Sequence, residues 1–149
     1  MNAIVAPDRL GLLQAGQKFT DRFSIAAEDM EGFAALSGDR SAVHGAADFA
    51  RRLGLDGRAV YEGLIIARLS RLIGMNVPGL AHGLWGGLRM DFNHPLYVGE
   101  AAVLTLVIDD LLPTSGMARL SFRVEAFGVE GGGRLIADGV LDTLLRDAA

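Results

Sequence analysis

The chain has 149 residues, no cysteine, three histidines and a formal net charge of -4. That length fits one domain, 1–149, and the missing thiol excludes a disulfide scaffold, a cysteine-ligated zinc or iron–sulfur site and a thiol nucleophile. The balance of 14 basic against 18 acidic side chains argues against a nucleic-acid surface, which needs a clustered basic face.

Half of the residues are hydrophobic and 20 are glycine, so the chain reads as a compact fold with many tight turns. Three histidines leave little for a metal site, and neither a metal nor a cofactor is expected. The opening residues lack the basic region and long apolar stretch of a signal peptide, because Asp8 and Arg9 interrupt them. The most strongly apolar uncharged run, Ala101–Ile108, falls far short of the ~20 residues of a spanning helix. The expectation is a soluble, cytoplasmic protein with no membrane segment.

Residues 1–15 are apolar and irregular and read as a loosely attached arm. A strand is expected near Lys18–Phe23. Ala26–Leu36 suits a helix: Glu28, Asp29 and Glu31 crowd its first turns, where the macrodipole favours anions, and Ser37-Gly38-Asp39 stops it. A second short helix is expected over Ala46–Leu53, ended by Gly54, and Leu55–Arg58 forms a turn. Gly63–Gly74 is apolar nearly all round, which predicts a helix wrapped by other structure.

After Pro78 the apolar period changes. Leu84–Phe92 is expected as a strand. Ala118–Phe127 alternates, with Leu120, Phe122, Val124 and Ala126 on one side and Arg119, Ser121, Arg123 and Glu125 on the other, the mark of a half-buried antiparallel strand. Val103–Ile108 and Leu135–Leu145 are more continuously apolar, which predicts strands buried in part on both faces. Turns at Pro113–Gly116 and Gly128–Gly133 separate them, and the latter, with no strand-then-helix context, is no phosphate cradle. Strands that follow helices predict an α+β fold, an antiparallel sheet packed on a buried helix.

Asp39 and His44 are the first candidates for chemistry. They lie five apart in SGDRSAVHGAADFA, between two short helices. A carboxylate and an imidazole that converge can hold a water and move protons near neutral pH. His82 and His94 are weaker candidates: His82, between Ala81 and Gly83, reads as a loop or strand-end histidine, and His94 is biased to an extended conformation by Pro95. Arg68 and Arg71, on the buried helix, are expected to snorkel or to pair with acids.

The run Phe33–Asp39, then His44, then Phe49-Ala50, resembles the hydratase motif of the MaoC-like family. Gly54–Arg71 resembles that family's turn and its central "hot-dog" helix, and Phe92–Glu100 resembles its strand with Pro and Val-Gly-Asp. With the final strands the resemblance covers about Gly16 to Leu145. Two departures stand out. Ser41-Ala42 replaces Asn-Pro, and Glu62 replaces a histidine before Gly63. Ala42 gives up a fixed φ, so a looser hold on His44 is expected. Glu62 would raise the pKa of Asp39 if both were buried.

The resemblance implies a single hot-dog domain and (R)-specific hydration of trans-2-enoyl thioesters of CoA or acyl carrier protein, or the reverse dehydration. It implies Asp39 and His44 as the groups that activate water and the Gly63 amide as the oxyanion donor. Ser41, Glu62, Leu64 and Trp85 would bind substrate, Trp85 as a core or tunnel wall. It also implies a homodimer with the site near the subunit boundary. Two other readings stand beside it: a hot-dog thioesterase that uses Glu62, and a non-catalytic acyl-thioester-binding protein.

Overall fold

The first strand, β1 (Lys18–Phe23), leads into three helices, α1 (Ala27–Ser37), α2 (Ala42–Gly45) and α3 (Ala47–Arg52). The long helix α4 (Glu62–Asn76) follows, and then β2 (Leu84–Phe92), β3 (Ala102–Leu112), β4 (Met117–Phe127) and β5 (Gly133–Leu144). These elements are seen in a computed structural model that describes residues 11–81, 83–112, 114–128 and 133–145. The expected arm in part, His82, Pro113 and most of the glycine-rich turn lie outside the described residues.

The strands form one antiparallel sheet in the order β1-β3-β4-β5-β2. The expected α+β class is what the chain adopts. Alternation decides which face is inside. In β4 the residues Ala118, Leu120, Phe122, Val124 and Ala126 are buried, and Arg119 and Arg123 are exposed. In β3 the residues Ala102, Leu104, Leu106 and Ile108 are buried. Its other face, Val103, Thr105 and Val107, is half-buried rather than buried, which corrects the two-faced expectation. In β5 the adjacent buried pair Ile136 and Ala137 has a local cause. The register with β4 shifts between Val124 and Glu125, and the extra residue lets two neighbours turn inward.

Helix α4 crosses the inner face, with Ile65, Leu69, Leu72 and Ile73 buried in the core. It is not wrapped all round within one chain. Leu64 and Ile66 are half-buried, and Ala67 and Met75 are exposed. Arg68 and Arg71 both pair with Asp21 on β1, at 3.0 and 3.3 Å, which ties the helix to one edge of the sheet.

The opposite edge, β2, is apolar on its inner face. Leu88 faces the buried Leu141 across the ladder, and Phe92 faces the buried Ala137, so both point to the helix side of the sheet. Yet Leu88 is 38% exposed and Phe92 44%. The helix of the same chain does not reach far enough to cover them. Among the described residues no helix is long and apolar enough to cross a membrane.

Candidate active site

Helix α1 delivers the first candidate residue. Its start is held by the Asp29 carboxylate, which accepts the Ala26 N–H at 2.9 Å. Its end is set by Gly38, which takes φ 78°, a left-handed conformation that a side chain disfavours. The chain turns there and presents Asp39 to solvent.

Ser41 then fixes the Asp39 side chain. The Ser41 hydroxyl donates to Asp39 Oδ1 at 2.7 Å, and the Ser41 N–H donates to the same oxygen at 3.0 Å. Those bonds, the hydroxyl's first, hold the Asp39 carboxyl below its ordinary value, and the nearby His44 adds to the effect. Asp39 is exposed and so is Glu62, so the condition for Glu62 to raise that pKa is not met.

Replacing Ser41 by alanine removes the largest of these stabilising contacts. The anion loses support, so the Asp39 pKa is expected to rise toward the ordinary carboxylate range. A carbon-detected NMR titration of the Asp39 carboxyl measures the change. An unmoved midpoint would show that the hydroxyl contributes nothing. The linkage has the same sign: the depressed pKa favours the folded chain above the unfolded value, and that gain is lost as pH falls through the folded one.

His44 sits in the short helix α2 rather than in an irregular loop, and it is buried. Its Nδ1 lies 2.7 Å from the Ala59 carbonyl oxygen. A carbonyl only accepts, so Nδ1 carries the hydrogen and Nε2 of the neutral ring keeps its lone pair. The ring stacks on Tyr61 with centroids 4.2 Å apart, and Arg58 Nε donates to the His44 carbonyl at 2.9 Å. The Tyr61 hydroxyl donates to the Asp39 carbonyl. The loop without Asn-Pro therefore holds His44 through three contacts that do not involve Ser41 or Ala42.

Tyr61, Arg58 and the Ala59 carbonyl carry no motif, and sequence reasoning missed their roles. Tyr61 does stand directly before Glu62-Gly63, where an aromatic ring is well placed to brace a helix start.

Tyr61 also begins α4, with Glu62 and Gly63 as its first two residues. No side chain caps this end; the Leu64 N–H donates to the Tyr61 carbonyl at 3.0 Å, and the N–H groups ahead of it are placed as donors for an oxyanion. Gly63 is required there by packing. A Cβ on it would lie 2.5 Å from Cε2 and Cζ of Phe33, whose ring packs on Tyr61 at 4.6 Å. Gly63→Ala is expected to push Phe33 into Tyr61 and to cost about 1–3 kcal/mol. Urea unfolding measures it. Phe33→Leu in the same chain should restore part of the loss, and no loss in the single variant would show that the ring simply swings away.

A pocket of about 330 Å³ opens beside His44. Its lining includes Val43, His44, Glu62, Ile65, Phe92 and His94, but not Asp39. Leu64 and Trp85 pack half-buried against the core and do not line it. His94, a weaker candidate in the sequence, joins His44 at this pocket. The segment that carries it is clamped from behind. Arg134 donates to Glu100 at 2.6 Å and to the Pro95 carbonyl at 3.0 Å. The Glu100 carboxylate raises the Arg134 pKa further, so the clamp stays charged.

No protein-family model matches the chain. Individual relatives do. A 3-hydroxybutyryl-CoA dehydratase of Methylorubrum extorquens is 30% identical over 98 residues, which are 65% of this chain and 61% of that protein. The chain thus spans less than two thirds of that relative's length. Among solved structures, the (R)-hydratase of Aeromonas caviae superposes with a TM-score of 0.80 at 26% identity, over 89% of this chain and 97% of that one. The R-hydratase PhaJ1 of Pseudomonas aeruginosa superposes with a TM-score of 0.77 at 29% identity, over 91% and 84%. The chain has the hot-dog fold and is similar in sequence and structure to (R)-specific hydratases and a 3-hydroxybutyryl-CoA dehydratase.

Proposed function

We propose that the protein adds water across trans-2-enoyl thioesters to form (R)-3-hydroxyacyl thioesters, or runs the reverse dehydration. One observation carries this reading. His44 is locked with Nε2 as its basic atom, beside a carboxylate held ionised, at a helix start with free N–H groups. The named activities of the relatives support it.

In this mechanism Asp39 and His44 hold one water between them. An O–H bond of the water breaks as its oxygen bonds to Cβ, and a proton is delivered to Cα on the same face. Charge builds on the thioester oxygen, and the Gly63 amide meets it as a pre-aimed donor. Glycine also lets the thioester approach the backbone closely. The thioester carrier is CoA or acyl carrier protein, and the site belongs to a homodimer joined along β2. The exposed inner residues Leu88 and Phe92 support that pairing, because a second copy's helix would cover them.

Loss of the conjugated-thioester absorbance of crotonyl-CoA tests the reaction. Thiol release measured on the same sample tests a second reading, hydrolysis by Glu62, which its place on the pocket beside His44 favours. Hydration frees no thiol. Binding of acyl-CoA with neither signal would identify a non-catalytic thioester-binding protein.

A further inference from the structure

The pocket beside His44 holds two groups that water addition does not use. The first is Glu62, the opening residue of α4. The second is His94, whose Nδ1 lies 2.9 Å from the Leu135 carbonyl oxygen. As for His44, that carbonyl places the hydrogen on Nδ1 and leaves Nε2 of the neutral ring as an acceptor. Among the described residues Glu62 has no side-chain hydrogen bond or ion pair, and the Leu135 carbonyl is the one hydrogen-bond partner of the His94 ring. Two unused acceptors therefore share one pocket with apolar walls at Val43, Ile65 and Phe92.

This arrangement discriminates between occupants. The pocket has room for roughly ten waters, enough for a short acyl chain. A plain alkyl chain displaces water from both acceptors and returns no hydrogen bond. Both side chains are open to solvent in the free chain, so the cost falls on the acceptor that the bound chain covers, about ten- to a hundredfold in binding where it is covered completely. A chain with a hydroxyl at its far end replaces the water it expels and meets the acceptors with a donor. A carboxylate at the same place is repelled by Glu62.

We propose that Glu62 and His94 make the acyl pocket selective for chains that end in a hydroxyl over plain alkyl chains of equal length. This rests on the hydratase reading for the placement of the acyl chain beside His44. Glu62 and His94 act as specificity residues, and the reacting atoms stay with Asp39 and His44.

Calorimetric binding of saturated acyl-CoA esters tests the preference without any turnover. Matched pairs of four, six and eight carbons, with and without a terminal hydroxyl, locate the length that reaches the acceptors. The hydroxylated ester of at least one pair should bind tenfold or more tighter than its alkyl partner. Glu62→Leu and His94→Phe, made singly and together, should erase the difference by tightening alkyl binding. Equal or tighter alkyl binding at every length overturns the proposal. So does a preference that survives both substitutions, or the absence of binding by every ester. Crotonyl-CoA hydration is scored separately. Its loss with the hydroxyl preference intact would sink the hydratase reading alone, and its presence without the preference would sink the specificity alone.

Discussion

Replacing Asp39 by asparagine is expected to lower the rate of crotonyl-CoA hydration by about 10²–10⁴-fold, the usual worth of a positioned acid–base group. Asn keeps an oxygen where Asp39 Oδ1 accepts both Ser41 bonds, so the loop geometry survives while the charge is lost. Asp39 is exposed, and thermal unfolding should hardly change. His44→Ala should cost the rate as much or more. It also leaves the Ala59 carbonyl without its donor and Tyr61 without its stacking partner, so some stability falls with it. The double variant should be little worse than the worse single one, because the two act on one water. Hydration rates that stay within a few-fold of the parent in both single variants would remove the dyad from the mechanism.

Gly139→Ala is expected to be the most damaging small change in the sheet. Gly139 lies in β5 between Met90 of β2 and Phe122 of β4. A Cβ there would overlap the Arg89 carbonyl oxygen and lie 2.8 Å from Phe122 Cζ. The Arg89 oxygen is backbone and cannot swing aside, so β2 must move off the sheet. Overpacking of this kind costs about 3 kcal/mol, or roughly 6–12 °C in Tm for a chain of this size. Because β2 is also the edge proposed to join two copies, sedimentation velocity should show the variant shifted toward monomer. A variant with the parent's Tm and the parent's sedimentation would show that β2 tolerates the displacement.

How far the sequence could be read differs between elements, for physical reasons. The strand expected at Leu84–Phe92 has those bounds in the fold, and β4 differs from its expected range by one residue, because strict alternation is a strong signal. Strand β3 runs past its apolar stretch to Leu112. Asp109 and Asp110 hid this extension, and the register shift between Ile108 and Asp110 lets Asp110 sit opposite Arg119. Helix α2 went unseen because Ala42–Gly45 is too short to show a period.

The site divides in the same way. Asp39, Ser41, His44 and Gly63 stood out through spacing and family resemblance. The contacts that orient His44 come from 14 to 17 positions away, through the Ala59 carbonyl, the Arg58 guanidinium and the Tyr61 ring. A backbone carbonyl has no sequence signature at all. His94 needed the sheet to bring it to the pocket, since 50 positions separate it from His44.

Tyr61 is in contact with every part of the candidate site. Its hydroxyl reaches the Asp39 carbonyl, its ring stacks on His44 and packs at a tilt on Phe33 beside Gly63, and its backbone starts α4. Asp39, His44 and the start of α4 are thereby braced by one ring. A shift of that ring carries them in the same direction, so their mutual spacing survives displacements that would misalign parts hung on separate loops. The spacing is therefore buffered against drift in the surrounding surface, and substitutions at Arg40, Asp48 or Arg51, however disruptive to their own exposed ion pairs, should pass without effect at the reaction centre.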